Sequence, residues 1–317
     1  MTTDLLRRRC ISQGYILRRE AVAMGYDDKS LTRLVRAKQL VRVRYGAYTI
    51  AELWPDSVSD RHQIRARAVL GTAKPGTVLS HTSAALEHGV STWDVPLSEI
   101  HTTRPDGHAG RRLSGVHQHQ GILLPTDTVV VNDVPVTAPV RTALDLITIL
   151  DVEHALVAIN SMLHAELMTK DALRVRVETA DQWPHTLHGR VVVGLSDPRL
   201  ESVGESRTFY LCWSNGIPLP TPQHPIFDNG RLIARLDFAW PEHKVFLEFD
   251  GRVKYVKFVP DGGDITDVVL AEKRREERIC ELTGWRCIRI TWADLAQPGR
   301  TAQRIRQLLE NRPQSAA

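Results

Sequence analysis

The sequence predicts an α+β fold class in several domains, and three observations carry that expectation. Helical spacing and a basic hairpin crowd into residues 9–50; strand and helix patterns mix through 60–190; and a stretch rich in Pro, Gly and His at 181–198 precedes an α/β pattern over 197–312. A chain of 317 residues is long enough for two or three cores of ordinary size. The expected divisions are 1–55 for a winged helix, 56–190 for an α/β middle domain and 191–317 for a C-terminal α/β domain.

Arg18 to Met24 reads as a short helix stopped by Gly25. Asp28 is placed to cap a second helix, Lys29 to Ala37, in which Leu31, Leu34 and Val35 recur at helical spacing. In LVRVRYGAYTI, Val41, Val43 and Tyr45 alternate with Arg42 and Arg44 before a Gly46 turn and a return strand. Two helices at a tight turn followed by a basic hairpin describe a winged helix. In the middle segment, Arg61–Gly71 and the stretch after Ser80 read as helices, and Ile100–Thr103 and Val116–His119 as strands. Asn132-Asp133 marks a hairpin within Val129–Val136, and Pro139 opens a helix that another follows from Val152. The C-terminal segment reads as helix Leu200–Asn215, strands Leu232–Trp240 and Val245–Asp250, a long irregular loop, helix Asp267–Thr283, strand Trp285–Trp292 and helix Thr301–Asn311.

Hydrophobic residues at 42% and charged residues at 25% are ordinary for a globular protein. The start MTTDLLRRRC has no apolar signal core, and no stretch is apolar for a membrane span, so a cytoplasmic location is expected. The four cysteines are scattered without a C-x-x-C pair, which fits reduced thiols and excludes a zinc ribbon. Charge is unevenly spread. Residues 1–52 hold 11 Lys+Arg against 5 Asp+Glu, whereas the remainder holds 30 against 32. A clustered basic excess is the usual electrostatic footprint of a phosphate partner.

Lys29, Arg33 and Arg36 fall at i, i+4 and i+7, on one helix face opposite the apolar stripe; Lys38, Arg42 and Arg44 follow, with no acid from 29 to 44. Such a face is suited to a DNA major groove, with the wing arginines on phosphates. A solvated helix face, or a winged helix reused for protein contacts, is the alternative.

The second signal is RLIARLDFAWPEHKVFLEFDGRVKY. A hairpin pairing Trp240 with Val245 sets Asp237 opposite Glu248 and Arg235 opposite Asp250. Opposed carboxylates stand about 5 Å apart at Cβ and repel, unless a cation lies between them. Asp237 and Glu248 are therefore expected to hold Mg²⁺ or Mn²⁺, hard ions that prefer oxygen ligands and activate water. The alternative is a salt bridge, for instance from Asp237 to Arg235. The preceding helix offers Glu205 as a third acid, with Glu201 read as solvated. Lys254, and after it Lys273 in EKRREER, is expected to supply a catalytic cation. EKRREER otherwise reads as an exposed face with internal ion pairs. Thirteen histidines include His81 with His88 and His117 with His119, but no set of known metal spacing is completed, so they are expected on the surface or in the core. There is no phosphate-binding, dinucleotide or esterase motif.

A helical Glu, then Asp, then Glu-x-Asp-Gly, a basic residue and EKRRE ahead of GWRCIRITWADL resembles the restriction-endonuclease-like, PD-(D/E)xK fold. More closely, it resembles the very-short-patch-repair-endonuclease-like domains found behind winged helices. By this resemblance Glu205, Asp237 and Glu248 match the family's acidic positions, with Asp250 standing where the family has lysine. The stretch ending VRVRYGAYTI, with SHTSAALEHGV and PVTAPVRTALDLI, resembles the AbiEi-type antitoxins of abortive-infection systems. Two functions follow. One is a metal-dependent DNA endonuclease, which the retained carboxylates favour. The other is a DNA-binding regulator or antitoxin whose nuclease-like domain has lost turnover, which the missing lysine favours. Expected partners are DNA, a homodimer and a cognate toxin system, with no membrane.

Overall fold

A computed structural model of the chain describes residues 2–105, 110–180, 182–251 and 265–310, with the side chains of 2–4 and 265–272 excepted. It is a mixed α+β structure whose described strands form three sheets. No helix among the described residues is long and apolar enough to cross a membrane. Close packing divides the chain into two compact units, Met1–Ala158 with Met168–Val193, and Ile159–Leu167 with Gly194–Ala317.

In the first unit, α1 (Thr2–Gln13), β1 (Ile16–Leu17), α2 (Arg18–Ala23), α3 (Asp28–Arg36), β2 (Leu40–Arg44) and β3 (Ala47–Ile50) come first. Their three strands order as β1-β3-β2, over a core of Leu6, Cys10, Ile16, Ala21, Leu31 and Leu40. The helix cap lies one residue earlier than the sequence suggests. Asp27 accepts the Ser30 N–H at 2.7 Å, while Asp28 forms an ion pair with Arg18 at 2.6 Å. The alternation in the hairpin also breaks. A register shift between Arg42 and Arg44 buries Val43 and half-buries Arg44, and leaves Tyr45 84% exposed at the turn. Helix α4 (Val58–Leu70) closes this region, with Ile64 and Ala68 packed among Tyr15, Leu17, Val43 and Ala47. The segments 1–55 and 56–190, expected to be separate, therefore share hydrophobic packing.

The rest of the unit is built on β4 (Val78–Leu79), α5 (His81–Glu87), β5 (Ile100–Arg104), β6 (Arg111–Leu113), β7 (Val116–Gln120), β8 (Thr128–Val131), β9 (Val134–Thr137) and α6 (Pro139–Ile149). The six strands order as β6-β7-β5-β4-β9-β8, and β5 runs parallel to β7 with His101 beside His117 and Thr103 beside His119. Asn132 and Asp133 both take positive φ, 50° and 60°, as the tight β8–β9 turn requires. Helices α7 (Val152–His164), α8 (Lys170–Glu178) and α9 (Gly189–Leu195) follow.

The second unit holds α10 (Val203–Ser214), β10 (Thr221–Asp228), β11 (Arg231–Trp240), β12 (Val245–Asp250), α11 (Ile265–Thr283), β13 (Arg286–Thr291), α12 (Trp292–Leu295) and α13 (Pro298–Glu310). Its sheet orders as β10-β11-β12-β13, antiparallel except for β12 with β13. Strand β10 is unexpected from sequence because Pro222 and Pro225 interrupt its pattern. It is an edge strand, where proline is tolerated.

Candidate nucleic-acid interface and two ionisable clusters

Helix α3 turns Leu31 into the core and leaves Lys29, Arg33 and Arg36 exposed. With Asp28 and Thr32 these three line a shallow hollow of about 380 Å³. Lys38, at positive φ just past the helix, and Arg42, whose guanidinium lies 5.2 Å from the centre of the Tyr45 ring, are also exposed. Arg44 is placed otherwise. It is half-buried, it donates to Thr72 Oγ1 at 3.1 Å, and burial lowers its pKa. Five of the six residues expected to contact DNA are thus exposed, and the sixth, Arg44, follows the register shift in β2.

Of the C-terminal carboxylates, Glu205 on α10 and Asp237 on β11 lie close to each other, whereas Glu248 on β12 faces α11. Phe238–Leu247, Ala239–Phe246 and Trp240–Val245 pair in the register expected from sequence. Beyond Phe238, the carboxylate of Asp237 accepts the Phe249 N–H at 2.8 Å. Glu205 is buried and accepts from the Glu201 N–H (3.1 Å), Ser202 Oγ (2.7 Å) and Gln223 Nε2 (3.0 Å). Ser202 in turn accepts the Glu205 N–H at 3.1 Å, so this Ser-x-x-Glu spacing starts the helix. Burial and the nearby Asp237 raise the pKa of Glu205. Glu248 faces Arg275 at 3.9 Å, and Arg235 faces Glu201 at 3.9 Å rather than Asp237. Asp250 lies at the end of β12, opposite Thr291. Lys273 is 72% exposed and pairs with Glu277 at 4.0 Å, so EKRREER is an ion-paired face there. Lys254 lies outside the described residues.

A second cluster, missed in the sequence, lies on the six-stranded sheet. Ser80 N–H donates to the His101 carbonyl at 3.1 Å, and Ser83 Oγ accepts the His101 N–H at 2.9 Å, which stitches α5 to β5. His81, at the first position of α5, is thereby held beside the strands. His101 Nδ1 lies 2.9 Å from His119 Nε2, and the His81 ring stacks on His119 with centres 3.7 Å apart. His117 packs against His119, with centres 3.8 Å apart. The ligand-capable atoms of His81, His101 and His119 all lie within 4.8 Å of one another. Burial first, and then the neighbouring imidazoles, lower the pKa of these rings, to about 3 for His101 and His119.

His81, His117 and His119 border a cavity of about 700 Å³ also lined by Arg141, Asp145, Gly121 and Trp183. Arg141 is only 3% exposed. It donates to Asp145 Oδ1 (2.8 Å), to Asp127 Oδ2 (3.0 Å) and to the Ile122 carbonyl (2.7 Å), and stacks 4.8 Å from the centre of the Trp183 ring. Burial nevertheless raises Asp145 to about 6, and its Oδ2 has no hydrogen-bond partner among the described residues. The only legible trace of this cluster was His117-x-His119, which puts two imidazoles on one strand face. The pairing of β5 with β7 and the stitching of α5 supply the rest.

Two curated relatives resemble most of the chain: "Uncharacterized protein MT2308" of Mycobacterium tuberculosis strain CDC 1551 / Oshkosh and "Uncharacterized protein Rv2248" of strain ATCC 25618 / H37Rv. Each is 29% identical over 280 residues, covering 86% of this chain and 93% of the relative. Residues 77–191, which carry the histidine cluster and the buried Arg141 network, match the family described as the AbiEi antitoxin C-terminal domain.

Proposed function

We propose that the chain is a DNA-binding regulator of the antitoxin type, whose winged helix at 9–50 grips duplex DNA and whose protein partner is a cognate toxin. The observation that carries the DNA part is the exposed basic face of α3, Lys29, Arg33 and Arg36, continued by Lys38 and Arg42. A basic second helix of a helix-turn-helix enters the major groove, and the hairpin cations reach the flanking phosphates. The match of residues 77–191 to the AbiEi antitoxin domain supports the antitoxin part.

The C-terminal carboxylates take a structural role in this reading. Glu205 is held by three donors and Asp237 by a backbone N–H, and Glu248 faces the Arg275 cation at 3.9 Å. The competing reading is a Mg²⁺- or Mn²⁺-dependent endonuclease with Asp237 and Glu248 as ligands. Its support is the proximity of Glu205 and Asp237, whose charges oppose each other.

Fluorescence anisotropy with duplex DNA from upstream of the gene separates the outcomes. Each lost phosphate contact removes about 0.9 from the slope of log K against log salt. Arg33→Ala with Arg36→Ala should thus weaken binding and flatten the slope by about 1.8. An unchanged slope would remove α3 from the interface. Plasmid incubated with Mg²⁺ or Mn²⁺, against chelator, should stay intact. Cleavage that disappears in Asp237→Ala would replace the regulator by the endonuclease.

A further inference from the structure

We propose that His81, His101 and His119 form a binding site for a divalent transition-metal ion of the zinc class, opening on the cavity beside Arg141. The site is separate from the α3 surface, and the inference stands whether or not that surface binds DNA.

The three ligand-capable nitrogens lie within reach of one ion. Zn–N bonds of about 2.0–2.1 Å in tetrahedral arrangement set ligand nitrogens about 3.3 Å apart. His101 Nδ1 and His119 Nε2 are 2.9 Å apart, and the His81 ligand atom lies within 4.8 Å of both of theirs. The His81 and His119 rings stack at 18° in the metal-free chain, so binding turns one ring until its in-plane lone pair meets the ion. The three ligands come from three elements, α5, β5 and β7, that are hydrogen-bonded into one sheet-and-helix frame. Burial holds the rings neutral, the state in which imidazole has a lone pair to give. In the metal-free chain His101 and His119 share an N–H···N bond. When the ion takes both lone pairs, the shared proton moves to the other nitrogen of its own ring, and no net proton is released.

Two further observations point to a ligand. A metal-bound imidazole commonly donates its other N–H to a carboxylate or a polar neighbour. His81 Nδ1 lies 2.9 Å from Ser80 Oγ and 3.9 Å from Asp145 Oδ2, a buried oxygen without a hydrogen-bond partner among the described residues. With Nδ1 engaged by these neighbours, Nε2 is the His81 nitrogen assigned to the ion. His81 also takes φ +51°, a left-handed conformation that non-glycine residues adopt at a cost and that places its ring against His119. Three neutral nitrogens select Zn²⁺, Ni²⁺ or Co²⁺ over Mg²⁺, which demands oxygen. The cavity leaves room for water or an exogenous ligand at a fourth position.

The test uses the full chain, stripped with chelator and dialysed. Titration calorimetry with Zn²⁺ should give one tightly bound ion per chain, and Co²⁺ should develop the intense visible bands of a four-coordinate site. His119→Gln should weaken Zn²⁺ binding by at least about a hundredfold, since loss of an outer partner alone costs about 10–100-fold. His88→Gln should bind normally, because His88 lies outside the cluster and contacts the Thr137 carbonyl. Unchanged affinity in His119→Gln, or weak pale Co²⁺ spectra of a six-coordinate ion in the wild-type chain, would overturn the assignment and leave the imidazoles as packing alone. The wild-type Co²⁺ spectrum decides the matter even if a variant fails to fold.

Discussion

Glu205 shows how one residue carries two meanings. Its carboxylate completes the start of α10 through Ser202 and the Glu201 N–H, yet it is buried near the carboxylate of Asp237. Because its folded pKa is raised, the native state holds a proton over a range in which the unfolded chain, near the ordinary 4.5, has already released it. The native state then binds more protons than the unfolded state, so this residue's contribution to stability falls as pH rises through that window. Glu205→Gln removes the charge and keeps an acceptor oxygen. The variant should match or exceed wild-type stability at pH 7, and the difference should vanish as pH falls and wild-type Glu205 protonates. Urea midpoints at neutral and acid pH measure this. A variant much less stable at pH 7 would show that the charged carboxylate is required by its donors.

At the scale of elements, α10 reaches the sheet through Gly204. A Cβ there would lie 2.0 Å from the Phe249 ring, closer than any real contact, so helix and strand approach as they do only because this residue has no side chain. Phe249 is fixed in turn by an edge-on contact with Trp292, ring centres 5.0 Å apart. Gly204→Ala should therefore push α10 off β12 and cost about 3 kcal/mol or more, the upper range for overpacking. Equilibrium denaturation measures the loss. Adding Phe249→Ala should recover part of it, as contacting residues are non-additive. Two independent losses that simply sum would show that the ring is not what Gly204 accommodates.

For the whole molecule, charge distribution matters more than net charge. The basic excess lies in residues 1–52, and the remainder is slightly acidic. If DNA is held through Lys29, Arg33, Arg36, Lys38 and Arg42, the salt slope of the full chain should be no steeper than about −4.5, at about 0.9 for each phosphate contact. Anisotropy titrations across a range of salt measure that slope. A distinctly steeper value would place phosphate contacts elsewhere in the chain as well.

Local chemistry made much of this protein readable from sequence alone. Spacing of Leu31, Leu34 and Val35 marked α3, Asn132-Asp133 marked a turn that needs two positive φ values, and Pro139 marked the start of α6, since each signal acts within a few residues. The basic face of α3 was legible for the same reason, because helical periodicity alone decides which side chains share a face. The β11–β12 register was legible from Trp240 to Phe238, as a short link between two strands leaves few pairings. The ladder ends there, so the expected pairs Asp237–Glu248 and Arg235–Asp250 are not among its rungs, and the Asp237 carboxylate takes the Phe249 N–H instead. Strand β10 was not legible, because its prolines are acceptable only at a sheet edge, and edge position is a property of the assembled sheet. Arg44 was assigned to the surface by alternation, and a bulge in β2 turned it toward Thr72. The histidine cluster depended most on tertiary structure. His81, His101 and His119 are spread over nearly forty residues, and what unites them is the parallel pairing of β5 with β7 and the docking of α5 on that pair. Pairing between distant strands is set by burial of the whole sheet, so no short pattern in the chain announces it.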